Sequence, residues 1–428
     1  VFQENQRMYS AATPARLPLT QVLICGAAIV TLSMGARHGF GLWLAPITME
    51  RGWPRETFAF ALAIQNLAWG IAGPFAGMLA DRFGAFRVLA ASGVLYALGM
   101  WVMAVATTGA IFTLGAGIFI GVALAGCTYA VIYGVINRHV AAERRSWAMG
   151  VTAAAGSFGQ FLMVPLSSGL IGGFGWQQAL VMLGAAALLI VPLAWALKEA
   201  PPAAQAAGPQ LKEPAVAATP GAHHQSIGSA LREAFGYRSF RLLMAGYFVC
   251  GFQVVFIGVH LPSYLKDQGL GLEVATMALA LIGLFNVFGT YLAGSLGQRM
   301  AKRHILAGIY LLRALAIAVF IWLPLSPASV YVFSAVMGLL WLSTVPPTNA
   351  IVAQIFGIKH FSMLGGFVFF SHQVGSFLGA WLGGKLYDST GSYDVVWWIA
   401  IALGVFAALI NLPVRETAIV RPVPQPVR

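Results

Sequence analysis

Charge is scarce in this chain. Only 9% of its 428 residues are Asp, Glu, Lys or Arg, whereas 59% are hydrophobic and the mean hydropathy is +0.79. A soluble domain of this size needs a polar surface that such a composition does not supply. The composition therefore excludes an ordinary soluble protein and indicates a membrane protein.

Cysteines and catalytic motifs are also scarce. Cys25, Cys127 and Cys250 lie in apolar stretches without metal-ligand spacing, which predicts neither a disulfide framework nor a metal site. The sequence has no phosphate-binding loop, no His-Glu zinc motif, no nucleophile elbow and no paired acids inside an apolar stretch. We therefore expect neither an enzyme nor a bound cofactor.

Apolar segments of bilayer length are abundant. Stretches of about 20 residues that could cross a hydrocarbon core recur along almost the whole chain. They predict an all-α membrane protein with twelve transmembrane helices, here numbered span 1 to span 12: 20–45, 57–80, 86–106, 110–136, 146–171, 177–197, 240–262, 274–297, 304–324, 329–354, 361–386 and 393–412.

The 25 Lys and Arg residues predict the topology. If the N-terminus is cytoplasmic, nineteen of them fall in cytoplasmic segments, four in external loops and two, Arg37 and Arg313, within spans. Positive loops stay on the cytoplasmic side. Both termini are therefore predicted to be cytoplasmic, with the protein in the cytoplasmic (inner) membrane. This bias explains the net charge of +12 without a nucleic-acid partner.

A polar stretch divides the spans into two sets of six. Residues 198–238 are rich in Ala and Pro and end in a short basic amphipathic piece, which predicts a cytoplasmic linker. The predicted divisions of the chain are a tail at 1–17, a bundle at 18–197, the linker at 198–238, a bundle at 239–414 and a tail at 415–428.

The two halves repeat each other. With an offset of 217 and no gaps, Ala61-Leu62-Ala63 aligns with Ala278-Leu279-Ala280, and Gly52 with Gly269. We therefore expect two six-helix bundles in the same orientation, related by an axis along the membrane normal.

The segment GMLADRFGAFRVL, residues 77–89, joins spans 2 and 3. It resembles the loop signature of the major facilitator superfamily, whose two six-helix bundles move solutes by alternating access, commonly as a monomer. The resemblance implies that Gly77 permits close helix approach, that Gly84 makes the turn, and that Asp81, Arg82 and Arg87 form a charged latch between the halves. In the family the acid faces the start of span 11.

Two further lines resemble bacterial monocarboxylate and oxalate transporters: GFGLWLAPITMERGWPRETFAFALA at 39–63 and SHQVGSFLGAWLGGKLYDSTGSYDVVWW at 371–398. This chain departs from the monocarboxylate family at three charged positions. It has Leu42 in place of a lysine, Asn286 in place of an aspartate and Thr290 in place of an arginine.

The two arginines inside spans need partners, because a charge in the hydrocarbon region costs on the order of 3 kcal/mol. No Asp or Glu lies in the interior of a predicted span, since Asp394 is at the very start of span 12. We therefore predict a mobile anion as the partner of Arg37 or Arg313. Each arginine also has a second interpretation. Arg37 could extend to the outer membrane interface, and Arg313 could donate to backbone carbonyls between helices.

Uncharged polar side chains within the spans are further candidates for a substrate site. Tyr129 and Tyr133 share a helix face at i, i+4 spacing. His372 or His38 would carry a proton if one is co-transported. The alternative for each candidate is interhelical hydrogen bonding. The remaining candidates are Gln65, Asn66, Gln160, Gln253, Asn286 and Gln373.

The function that these features favour is secondary transport of a small organic anion, with a monocarboxylate as the first candidate and membrane lipid as the surrounding medium. Pro346 and Pro347 predict a bent, gating span 10. The alternative is a drug or hydrophobic-compound exporter of the same fold. Exporters commonly have an Arg on their fourth helix where this chain has Gly117, and a cation would need an interior acid.

Overall fold

The computed structural model describes residues 17–198, 226–357 and 361–419, and these residues are almost entirely helical. Ten of the described helices are long and apolar enough to cross a membrane. One of them, Trp147–Ala196, is interrupted at Gly175 and supplies spans 5 and 6. The helix Phe361–Thr390 supplies span 11. The prediction of twelve spans is confirmed.

Six spans make up the first half. They are Leu19–His38 with Gly41–Arg51 (span 1), Arg55–Phe83 (span 2), Ala85–Val105 (span 3), Gly109–Phe112, Thr113–Phe119, Ile120–Cys127 and Tyr129–His139 (span 4), and Ala142–Ala187 with Ile190–Ala196 (spans 5 and 6). The turn between spans 5 and 6 uses Gly175, whose φ of +79° suits glycine.

Six spans make up the second half. They are Arg238–Asp267 (span 7), Leu272–Leu296 (span 8), Lys302–Trp322 (span 9), Pro327–Leu340 with Val345–Phe356 (span 10), Phe361–Thr390 (span 11) and Asp394–Asn411 (span 12). A short helix, Ile227–Gly236, falls in the amphipathic end of the predicted linker. Most of that linker and both chain ends lie outside the described residues.

Spans 1 and 4, predicted to be continuous, are interrupted, and span 10 is interrupted near its predicted bend. Span 1 breaks after His38, where Gly41 packs so closely on the backbone of span 7 that a side chain would collide with the Gly258 carbonyl. Span 4 breaks at Thr128, which has extended φ and ψ angles. Span 10 is interrupted before Val345, and the Pro346-Pro347 pair then occupies the first turn of its second helix. The bend predicted for span 10 is confirmed.

Contacts among loops define the two ends of the bundle. At one end, which we call the termini face, Leu17 donates to His139 at 3.2 Å and Arg303 donates to Glu416 at 2.8 Å. At the opposite end, the distal face, Trp176 donates to Glu50 at 2.6 Å. The sequence predicts that the termini face is cytoplasmic.

Large apolar side chains cover the outside of the bundle. On span 9, for example, Leu311, Leu312 and Leu315 are each more than half exposed. Such a continuous apolar exterior requires a surrounding that is not water, and lipid provides it. The polar side chains discussed below lie inside this apolar shell.

Glycines bring spans 1 and 5 into contact, and this packing gives a first prediction. A Cβ on Gly159 would lie 2.7 Å from the Thr31 carbonyl oxygen and 2.8 Å from its Cα, and backbone atoms cannot move aside. We expect Gly159→Ala to destabilise the protein by about 1–3 kcal/mol and to lower its unfolding temperature in detergent. Gly150→Ala, on the same helix with open space at its Cβ, is the control. Equal unfolding temperatures for the two variants would contradict the packing.

Candidate functional site

A small cavity lies where the two halves meet. Its volume is about 30 Å³, room for roughly two water molecules. Its polar lining residues are Arg37, His38, Gln65, Asn66, Gln160 and Trp341, and span 7 supplies a wall of valines. Spans 1, 2 and 5 of the first half and spans 7 and 10 of the second thus contribute to one cavity.

Arg37 points into this cavity. Its Nη2 donates to Oδ1 of Asn66 at 2.6 Å, and its guanidinium carbon lies 5.0 Å from the ring centre of Trp69. Its Nε is buried and has no hydrogen-bond partner among the described residues. The interpretation that Arg37 reaches the membrane interface is therefore not the one observed, and the guanidinium keeps an unused donor inside the protein.

His38 lines the same cavity. Its Nδ1 lies 2.6 Å from the Met34 carbonyl oxygen of the preceding helical turn. Because a carbonyl oxygen only accepts, the proton of the neutral ring sits on Nδ1. Its Nε2 is then the atom that could take up a proton. His38 directly follows Arg37 in the sequence.

Gln160 contributes an acceptor whose orientation is fixed. Its Nε2 donates to the Leu279 carbonyl of span 8 at 2.9 Å, so the other amide atom must be the oxygen. That Oε1 is buried and unpaired in the described part of the chain. Gln65 is oriented in the same way, because its Nε2 donates to the Ala116 carbonyl at 2.7 Å.

Trp341 is the cavity residue that the sequence analysis missed. It is fully buried at the break in span 10, it lines the cavity, and its Nε1 has no partner among the described residues. The nearby Pro346-Pro347 pair was the sequence signal that could have identified it. The prolines indicate a break in the helix, and a break can turn a side chain toward the cavity that a regular helix would direct elsewhere. The cavity therefore holds unused donors on Arg37 and Trp341 and an unused acceptor on Gln160.

The two predicted tyrosines lie outside the cavity lining. Their ring centres are 5.7 Å apart, as the i, i+4 spacing predicts. The Tyr129 hydroxyl lies against Gly156 of span 5, and the Tyr133 hydroxyl donates to the Met149 carbonyl at 3.4 Å. Both thus stand on the inner face of span 4, between the cavity and the termini face.

Arg313 does not reach the cavity. It is fully buried, and its guanidinium donates to the carbonyls of Leu340 and Trp341 and, at 3.4 Å, to Oε1 of Gln253. Gln253 in turn donates to the Ala400 carbonyl at 2.9 Å. The structure thus favours the backbone-carbonyl interpretation for Arg313, and it gives Gln253 the same kind of role.

Asn286 also joins helices. Its Nδ2 donates to the Ser157 hydroxyl at 2.8 Å across the two halves, and its Oδ1 accepts the Leu342 N–H at 3.0 Å. The site prediction placed it among the ligands. The structure instead gives it bonds that fix span 8 against span 5 and against the break in span 10.

His372 and Gln373 lie deep in span 11, outside the cavity lining. His372 Nδ1 is 3.3 Å from the Ser376 hydroxyl and 3.1 Å from Oε1 of Gln373, and its ring packs between Tyr247 and Phe369. The Nε2 of Gln373 is buried without a partner among the described residues. These two residues form a second polar group beside the cavity.

Within the described residues, the predicted latch makes no ion pair between the halves. Asp81 is 75% exposed and pairs at 3.1 Å with Arg138, which belongs to the same half. Arg82 stacks on Phe83, and Arg87 is exposed. The predicted partner region at the start of span 11 includes residues 358–360, which lie outside the described residues.

The two glycines of the latch motif have different surroundings. Gly84 has φ of +86°, so the tight turn predicted for it is confirmed. Gly77 has open space at its Cβ, so the close helix approach predicted there is not formed in this conformation.

A charged cluster at the distal face does join the halves. Arg55 at the start of span 2 donates to both carboxylate oxygens of Asp267, at 2.6 and 2.7 Å, and to the Tyr393 hydroxyl at 2.9 Å. Asp388 of span 11 accepts the backbone N–H groups of Arg55 at 3.1 Å and Glu56 at 2.7 Å. We call these five residues the distal cluster.

Forked geometry makes the distal cluster strong. Two parallel N–H bonds from one guanidinium to one carboxylate are stronger and more directional than a single contact. The guanidinium also lies 3.7 Å from the ring centre of Tyr387. The Glu56 side chain adds bonds to Trp381 at 2.8 Å and to Lys385 at 3.5 Å. The distal face is therefore closed by bonds between the two halves.

Comparison with known proteins agrees with this architecture. The profile of the Major Facilitator Superfamily matches residues 23–351. The chain is 24% identical over 397 residues to the uncharacterized MFS-type transporter YcxA of Bacillus subtilis (strain 168), covering 88% of this chain and 90% of that one. It is 25% identical over 390 residues to monocarboxylate transporter 13 of Bos taurus, covering 89% and 86%.

Solved structures share the fold. A bacterial homolog of the human lysosomal transporter Spinster, in an inward-facing and unoccupied conformation, superposes with a TM-score of 0.72 at 17% identity, covering 93% of this chain and 98% of that one. A D-xylose-proton symporter superposes with a TM-score of 0.68 at 16% identity, covering 94% and 99%.

The distal cluster yields a prediction about conformation. Arg55→Gln removes the forked bond to Asp267, so we expect the distal face to open in a larger share of molecules. Spin labels at Thr107 and Gln268, one on each half, would report this as a longer and broader distance distribution in lipid nanodiscs. Lys385→Gln, which removes only a half-exposed contact at 3.5 Å, should leave the distribution unchanged. An unchanged distribution in Arg55→Gln would show that the cluster does not hold the face closed.

Proposed function

The chain belongs to the Major Facilitator Superfamily, and from that premise we propose that it is a secondary transporter of a small organic anion, most simply a monocarboxylate, across the cytoplasmic membrane. Relatives named as monocarboxylate transporters support this class of substrate. The observation that carries the proposal is the unused donor of Arg37 in a cavity between the halves.

Electrostatics favours an anion at this position. A buried cation is costly unless it is paired, and none of the buried residues that the structure describes is an Asp or Glu. The Asn66 amide satisfies one donor of Arg37 but leaves its charge uncompensated. A substrate carboxylate would supply both the charge and the acceptor. The same surroundings do not suit a cationic drug.

The distribution of contacts supports alternating access. On span 2, a Cβ on Gly70 would lie 3.0 Å from Gln373 of span 11, but Gly73 and Gly77, which follow on the same helix face, have open space. The halves thus touch from the distal face to the level of the cavity, and in the described part of the chain no atom of the second half approaches Gly73 or Gly77 on the way to the termini face. We take the termini face as cytoplasmic, so that this conformation admits the anion from inside the cell.

A proton that accompanies the anion would be carried by a histidine in this proposal, since the interior offers no carboxylate. His38 is the first candidate because it lines the cavity beside Arg37. His372, with its hydroxyl and amide neighbours, is the second.

Substitution of Arg37 tests the proposal. We expect Arg37→Gln to lower saturable uptake of a radiolabelled carboxylate into proteoliposomes by about 100-fold, because loss of one member of a buried ion pair costs about 3–5 kcal/mol. Arg37→Lys keeps the charge but loses the forked geometry, so it should retain partial uptake. Arg241→Gln, at an exposed position, is the control. Uptake in Arg37→Gln equal to that of the control would refute the proposed role.

The free oxygen of Gln160 yields a second prediction, on selectivity. An anion that carries a hydroxyl can donate to this oxygen, whereas one without a donor leaves it unpaired at a cost of about 1–3 kcal/mol. We expect lactate to be taken up roughly tenfold better than propionate at low concentration, and Gln160→Met to abolish that preference. Gln177→Met, at the distal face, is the matched control. If Gln160→Met still prefers lactate over propionate, Oε1 of Gln160 does not bind the substrate hydroxyl and is satisfied by an ordered water instead.

A further inference from the structure

The break in span 10 leaves backbone carbonyls without helical partners. The first helix ends at Leu340 and the second begins at Val345. The Gly338 carbonyl still accepts the Trp341 N–H, but among the described residues the carbonyls of Leu340 and Trp341 accept no backbone N–H. In an apolar interior such groups must be satisfied by side chains or cost several kcal/mol each. Trp341, whose indole borders the cavity, is the first residue of this break.

Arg313 satisfies these carbonyls. Its Nε donates to the Leu340 oxygen at 3.1 Å and its Nη2 donates to the same oxygen at 2.6 Å, while Nη2 also donates to the Trp341 oxygen. Its Nη1 reaches Gln253 on span 7 at 3.4 Å. One guanidinium on span 9 therefore ties the broken backbone of span 10 to span 7.

The internal repeat places a comparable device in the first half. With the offset of 217, Tyr96 of span 3 corresponds to Arg313, and Ser33 of span 1 corresponds to Cys250 of span 7. The Tyr96 hydroxyl donates to the Ser33 carbonyl at 3.0 Å, and the Ser33 hydroxyl donates to the Cys127 carbonyl at 3.0 Å, beside the break at Thr128.

The corresponding residues of the second half meet in the same way. The Cys250 sulfur lies 3.2 Å from the Thr344 hydroxyl at the break in span 10. The position shared by Ser33 and Cys250 thus contacts the break in both halves. The position shared by Tyr96 and Arg313 differs, because Tyr96 bonds to span 1 whereas Arg313 bonds to the broken span 10 itself. Only the second half uses a cation.

We infer that Arg313 is a positioning residue, which holds the break in span 10 so that the indole N–H of Trp341 stays at the cavity. The inference rests on the proposed function for its effect on transport. It assigns to this buried arginine a role distinct from that of Arg37: its donors face backbone carbonyls, and its effect on the substrate passes through Trp341.

The shape of the guanidinium explains why arginine suits this position. Its donors lie in one plane at fixed angles, so Nε and Nη2 can address one carbonyl while Nη2 also meets the next. The compact ammonium of lysine could keep the charge but not this set of simultaneous bonds. Arg313→Lys therefore separates the charge from the geometry.

Fluorine NMR of Trp341 tests the positioning directly. The protein is produced with 5-fluorotryptophan at its 12 tryptophans, and Trp341→Phe assigns the resonance. We expect Arg313→Lys to shift or broaden this resonance, with no substrate present. Tyr96→Phe, the repeat-related change in the other half, should leave it unmoved. Thermal unfolding of each variant is measured in parallel, so that only folded protein is compared.

Uptake kinetics provide the second readout. In proteoliposomes we expect Arg313→Lys to raise the KM for a transported carboxylate about five- to tenfold with little change in the maximal rate, and Tyr96→Phe to change KM less than twofold. An unmoved Trp341 resonance in Arg313→Lys overturns the inference at any KM. If KM also rises more than 100-fold, Arg313 is a direct ligand of the substrate. If the wild type takes up no carboxylate, the proposed function fails, while the fluorine result still decides the role of Arg313.

Discussion

The structure depends on how positive charge is satisfied in an interior that offers no carboxylate among its described buried residues. Two arginines meet this constraint in different ways. Arg313 is surrounded by protein acceptors, chiefly the carbonyls of span 10, and so belongs to the fixed framework. Arg37 has one amide acceptor, an aromatic face and a donor left over. The difference between a complete and an incomplete shell separates a structural cation from one that is ready for a ligand.

Acidic residues are placed where the two halves must hold together. Asp267 and Asp388 lie at the distal ends of spans 7 and 11 and bind the start of span 2. Asp81 lies at the termini face and pairs within its own half. Among the described residues, ion pairs thus join the halves at the distal face, whereas the acid at the termini face pairs within one half. This arrangement is the one that a carrier opening to one side at a time requires.

Hydropathy and charge predict much of this fold, because span length and loop charge are properties of the sequence alone. The twelve spans follow from them, and the bend of span 10 follows from Pro346 and Pro347, but the sequence leaves open whether Arg37 faces the interior or the membrane interface. The roles of Arg313 and Trp341 do not, because they depend on how each helix is rotated about its axis and on where a helix breaks. Both arginines satisfy the same rule for intramembrane charge, and only the three-dimensional neighbours distinguish them. Asp81 is a further case, since its pairing with Arg138 of the same half depends on how spans 2 and 4 pack.

Asp388 caps a helix that belongs to the opposite half. The N–H groups of Arg55 and Glu56 are among those that the start of span 2 leaves without helical acceptors, and their carboxylate comes from span 11. When the distal face opens, this helix end loses its cap while the guanidinium of Arg55 loses Asp267. The newly exposed rim then carries a positive dipole end and a positive side chain together. In the anion transport proposed above, this positive rim would attract the substrate to the mouth of the pathway.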